Sequence, residues 1–263
     1  MSLRDLNIEL SYRSGRNDIV KEFYVPCLSV ASSYDRAVGF FTSGGLAAAA
    51  KGVASLIRRG GKMRLVASPI LSEDDLKDIE EGYEQRVQER ITKQTIDVLD
   101  NIPAGLIEKR VSCLAWLISV GRLDIKLAFP TRSSSKGVYH EKMGVIKDSD
   151  GNAIAFTGSP NETLGGLVSN FESIDVFTTW SSESDRRRVM EKERDFEQLW
   201  NDTTRGLRVI DFPDVARERI IALKPKDPPT VDLSPVEDDH PDATRRRMNL
   251  REYQQEAIQA WYD

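Results

Sequence analysis

Apolar and polar positions alternate between two periods along the first 223 residues or so, which predicts interleaved strands and helices. "NIELSY" (7–12) has the two-residue period of a strand, and "DIVKEFYVPCLSVASS" (18–33) has helical spacing with Pro26 expected to break or kink it. A strand over "DRAVGFF" (35–41), a helix over 43–59 and a strand over "GGKMRLVAS" (60–68) follow. That order, with an apolar second strand, marks a parallel pair buried by helices. The segment 72–102 opens with a Ser cap and first-turn acids, so it reads as a long helix, with a companion over 103–120. Strands are expected over 123–129, 139–147, 153–158 and 171–180, the middle two joined by the hairpin signal "DSDGN". A charged amphipathic helix (182–200), a short strand "LRVIDF" and a helix "DVARERIIAL" close the compact region. The expected class is α/β, a central mixed sheet flanked by helices on both faces.

Composition changes this picture only at the C-terminus. The chain has 263 residues, 40% hydrophobic and 30% charged, with a net charge of −5. Residues 225–263 hold nine acids and five bases, so they carry most of that charge. The Pro- and acid-rich stretch 224–249 reads as a linker between a domain over 1–223 and a further segment, 250–263. A nearly neutral first domain is no global magnet for nucleic acid, so contacts with phosphate must be local. The apolar run "GGLAAAA" (44–50) is too short to span a bilayer, and without a charged start and apolar h-region before it no secretory signal is expected. Cys27 and Cys113 read as buried thiols, which fits a cytoplasmic chain.

Candidate chemistry gathers in "VYHEKMGVIKDSDGNAIAFTGSPNET" (138–163), which holds one of the chain's two histidines. In a strand over 139–147, His140 and Lys142 face the same way. The hairpin returns Ser159 and Asn161 beside them, and Glu172 starts the next strand. An imidazole can attack phosphorus while an ammonium and an amide hold its oxygens and a carboxylate orients the ring. Arg132 and Lys136, in the polar loop "PTRSSSKGVYH", are placed to guide a phosphate backbone toward the histidine. The basic clusters at Arg58 and Arg59 and at Arg186, Arg187 and Arg188 read first as solvated helix faces; a third stands at Arg245, Arg246 and Arg247.

The order H-x-K, then G-S-x-N, resembles the HKD motif of the phospholipase D superfamily. Glu172, eleven residues after Asn161, is similar to the pattern of that superfamily's bacterial nucleases. The resemblance implies a phospholipase D-like layered fold and a metal-independent phosphodiesterase, most simply a DNA endonuclease. In that reading His140 forms a phosphohistidine, Lys142 and Asn161 stabilise phosphoryl oxygens, Ser159 supports them, and Glu172 fixes the His140 tautomer. With one motif copy per chain, it also implies a homodimer sharing one active site. The motif's Asp position holds Lys147 instead, and Asp148, one step late, is expected only to start the turn. "LREYQQEAIQAW" (250–261) resembles the Q-motif that opens superfamily II helicases, where Gln254 would read the adenine of ATP. No phosphate loop accompanies it, so ATP is expected only for the helicase part, and no cofactor is expected for the nuclease. The chain thus looks like the nuclease part of a helicase fusion, with the motor in cis, of a kind used in bacterial restriction or phage defence. The rival readings are a phospholipid phosphodiesterase and a catalytically silent DNA-binding or dimerisation module.

Overall fold

A computed structural model describes residues 1–70, 84–131, 139–158 and 172–230. Eight strands form one sheet: β1 (Ser11–Arg13), β2 (Ser33–Phe40), β3 (Lys62–Ser68), β4 (Leu123–Pro130), β5 (Met143–Lys147), β6 (Ala153–Gly158), β7 (Ser173–Thr178) and β8 (Leu207–Asp211). Their order is β1-β7-β6-β5-β2-β3-β4-β8. The β2, β3 and β4 strands are mutually parallel, and the other pairings are antiparallel.

Helices cover both faces, as the alternation predicts. One face packs against α1 (Val25–Val30), α2 (Ser43–Ala49), α3 (Val53–Arg59), α4 (Glu84–Asp100), α5 (Leu106–Ser119) and α7 (Asp214–Ile221). The other packs against α6 (Glu183–Trp200), whose Val189, Phe196 and Leu199 are buried. The larger core runs through Leu46, Leu56, Leu65, Leu114 and Ile125, all essentially inaccessible to water. Truncating any such leucine to alanine costs about 2–5 kcal/mol. Both cysteines are buried and unbridged, in line with the sequence.

Three local departures have physical causes. Pro26 does not break the helical path: the backbone stays helical through Tyr24 and Val25, and the proline falls in the first turn of α1, where a π turn over Val20–Tyr24 gives way to α-helix. The single helix expected over 43–59 is two, because Gly52 adopts φ +74° and lies against Tyr24, where a Cβ would stand 2.7 Å from the tyrosine Cβ. The strand expected at 7–12 shrinks to Ser11–Arg13 on the sheet edge. The described part of the helix expected over 72–102 is α4; residues 71–83 lie outside the described residues, as do 231–263 with most of the expected linker.

Candidate active site

The parallel strands end, β5 and β7 begin, and β6 ends at one edge of the sheet. His140, Lys142, Gly158 and Glu172 lie there. The strand expected over 139–147 starts only at Met143. The β2–β5 ladder stops at the pair Ala37↔Met143, and β2 shifts its register between Ala37 and Phe40. His140 and Lys142 therefore precede the strand. They still lie together: the Lys142 Nζ is 3.1 Å from Nε2 and 3.4 Å from Nδ1 of His140. His140 is exposed, with its ring 5.4 Å from that of Phe40.

The hairpin joins the two halves of the motif as its turn signal predicts. The Gly158 N–H donates to the Lys142 carbonyl at 3.3 Å. Gly158 is in register with Ile174, and a Cβ there would come within 2.3 Å of the Ser173 carbonyl oxygen, so the motif's glycine is required by the neighbouring strand. Ser159 follows it directly in the chain. Ser159 and Asn161 lie outside the described residues, as do Arg132, Lys136 and Gln254.

Glu172 stands just before β7. Its N–H donates to Ser14 Oγ (3.0 Å) and its carbonyl accepts from the Ser14 N–H (2.9 Å). Its carboxylate takes Lys51 Nζ at 2.5 Å, and both side chains are largely buried. Among the described residues no hydrogen bond joins Glu172 to His140, so the expected control of the imidazole tautomer is not seen as a direct contact. Asp148 behaves as its turn position suggests. It is 6% exposed and accepts the N–H groups of Leu3, Asp150 and Asn152 and the Asn152 amide.

Three residues at this end escaped the sequence reading. Arg36 on β2 is 1% exposed, in register with Gly144, with its guanidinium 5.0 Å from the Phe156 ring centre. That ring occupies the space a side chain at Gly144 would fill, 2.3 Å from its Cβ position. Lys51, at the end of an alanine run, holds Glu172. Gly39 lies beneath the His140 ring. Only the β-period of "DRAVGFF" pointed at all toward Arg36, and nothing local marked the other two.

The first two basic clusters lie on helix faces, and several of their side chains have partners nearby. Arg58 donates to Ser55 Oγ and to the Thr230 carbonyl. Arg186 and Arg187 bond Glu183, and Arg188 lies over the Phe177 ring. What remains at the site is positive. Partial burial, then the Lys142 ammonium, hold the His140 imidazole below its ordinary pKa. Partial burial, then Arg36, do the same for Lys142. A neutral imidazole beside an ammonium, with a guanidinium acting on that ammonium, is an arrangement able to attack an electrophile while holding an anion.

No family model matches the sequence, and no curated protein matches it. Among solved structures, the fold is similar to a polyphosphate kinase from Porphyromonas gingivalis, with a TM-score of 0.43 and 7% identity over 80% of this chain. It is also similar to a phosphatidylserine synthase from Haemophilus influenzae Rd KW20, with a TM-score of 0.40 and 13% identity, again over 80% of this chain. The chain spans 24% of the first protein and 43% of the second, and likeness of that degree assigns it neither a family nor a substrate.

Proposed function

We propose that this chain is a phosphodiesterase that cleaves nucleic acid, DNA in the first instance, through a phosphohistidine. The observation that carries the reading is the contact between His140 and Lys142, tied through the Lys142 carbonyl to Gly158 at the head of "GSPN". The neutral imidazole attacks phosphorus in line; an N–P bond forms, the P–O bond to the leaving strand breaks, and the departing oxygen takes a proton. Water then attacks phosphorus and gives its proton to the group that protonated the leaving oxygen, the N–P bond breaks, and both His140 and that acid are restored. Lys142 and Asn161 stabilise the charge on the equatorial oxygens, Ser159 supports them, and Arg36 adds a buried positive charge behind Lys142. Glu172, fixed by Lys51, is the carboxylate of the site. Arg132 and Lys136 guide the strand in.

Protonation of the leaving oxygen needs a second acid. His240 is far along the chain in "VEDDHPDAT", so a second His140 from a two-fold-related copy is the proposed donor, which makes the active species a homodimer. The nuclease needs neither metal nor nucleotide, while Gln254 would serve ATP in a helicase motor in cis, as in restriction or phage-defence systems. A cytoplasmic setting suits that role.

A panel of single- and double-stranded DNA, RNA and phosphatidylcholine vesicles tests the reading, with wild type beside His140→Ala. Cleavage of DNA that is lost in the variant supports it; hydrolysis of the vesicles alone would transfer the chemistry to lipid. Binding without cleavage of any substrate would make the chain a docking module. Sedimentation across the concentrations assayed tests the dimer, and full turnover by a monomer rejects the shared site.

A further inference from the structure

Gly39 is buried in β2 with a backbone that any residue can adopt, since its φ lies outside the left-handed region. Conformational freedom is therefore not what glycine supplies here. A Cβ at this position would stand 2.7 Å from His140 Cδ2 and 3.0 Å from Nε2, with Lys142 Cε at an ordinary 3.6 Å. The imidazole lies on bare backbone, flanked by the Phe40 ring and the Lys142 ammonium.

We propose that Gly39 is a positioning residue: the absence of a side chain at 39 sets where the reactive His140 ring sits against Lys142. The consequence for catalysis rests on the phosphohistidine reading; the contact itself does not. His140 is exposed, so a methyl group at 39 has an easy way out. The ring rotates toward solvent, away from Lys142 and Phe40, and the sheet is left intact. The effect of a substitution therefore falls on alignment and not on folding. A displacement of an ångström at a reacting atom costs about a hundredfold in rate. The charge facing the ring is that of Lys142 from its own segment, with Arg36 on β2 acting on Lys142 in turn, and Glu172 is held by Lys51.

The test is Gly39→Ala in the full chain, read three ways. The kcat for DNA cleavage should fall about a hundredfold with KM little changed. The thermal midpoint should stay within a few degrees of wild type. The chain has two histidines, so their ring signals in a nuclear magnetic resonance titration are assigned by His140→Ala. The His140 signal should lose its Phe40 ring-current shift and titrate closer to the ordinary value of about 6.5. An unchanged kcat with an unchanged His140 titration overturns the proposal. If Gly39→Ala fails to fold, Gly39→Ala with His140→Ala decides: recovery of the fold confirms the steric contact, and a second failure overturns it. If His140→Ala still cleaves DNA, the phosphohistidine reading falls while the titration arm continues to judge the contact.

Discussion

The two ends of strand β5 handle charge in opposite ways. At its exit, Asp148 is almost fully buried and its two oxygens accept four hydrogen bonds, one of them from Leu3 at the start of the chain. Burial by itself would raise this carboxyl's pKa, but the Asn152 amide and the N–H groups of Leu3, Asn152 and Asp150 outweigh it and hold it below the usual range. At the entry, Lys142 has an imidazole for a hydrogen-bond partner and, among the described residues, no carboxylate. Its charged neighbour in the electrostatics is another cation, Arg36. A charge saturated by the fold stabilises the fold. One set among like charges is kept at some cost in stability and leaves its bonding capacity to a ligand.

The sharpest way to break this contrast is to remove a residue from each end. His140→Ala should abolish phosphodiester cleavage with the thermal midpoint within a few degrees of wild type. Asp148→Ala should do the reverse, lowering stability by about 1–3 kcal/mol as its donors lose their acceptor, while the folded fraction keeps cleaving. Chemical denaturation beside a nuclease assay reads both, and a swap of the two outcomes would reverse the assignment of the two ends.

Lys51 and Glu172 sharpen the comparison from a third position, since they form a largely buried pair near the candidate site. Lys51→Met leaves a buried carboxylate alone and should cost about 3–5 kcal/mol, more than the Lys51→Met/Glu172→Gln double variant. Equal losses in single and double variants would show that the pair is not coupled.

Acidity offers a milder probe. Folding holds the Asp148 carboxyl low, so its contribution is complete above the unfolded carboxylate value and is lost as pH falls through the lower folded value. Asp148→Asn should flatten the acid end of the stability profile. For the site, His140 is held below its ordinary value and must be neutral to attack, so the acid limb of kcat/KM should have its midpoint below about 6.5. A midpoint above that value would contradict the environment described. The smallest expected effect is none: chelation with excess EDTA should leave cleavage unchanged, because the proposed chemistry draws its positive charge from Lys142 and Arg36.

Which features were legible follows from how far apart their partners lie. His140, Lys142 and Gly158 sit on neighbouring segments joined by a short hairpin, so spacing alone brings them together. The turn role of Asp148 was visible for the same reason, since three of its four bonds go to residues within four positions. Lys51 reaches across 121 positions to Glu172 and Gly39 lies beneath a ring 101 positions later, and neither residue type announces a tertiary contact. The split between α2 and α3 was hidden likewise, because the residue that crowds Gly52 is Tyr24 on another helix. The extent of the β5 strand was overread because alternation continues past Met143, while the ladder on its β2 side does not.

The seam between β2 and β5 also orders the chain's assembly in time. β5, β6 and β7 form a meander of neighbouring segments, and β2 and β3 pair across the short helices α2 and α3. Pairing Ser33 with Lys147 and Ala37 with Met143 instead closes a loop of more than a hundred residues. Long closures of this kind lose the most chain entropy before contacts repay it, and they come late in folding. Gly39 and Phe40 lie on one side of that closure and His140 and Lys142 on the other. The half-assembled chain can therefore hold much of its secondary structure while His140 still lacks the floor it rests on, and the candidate site is among the last parts of the molecule to form.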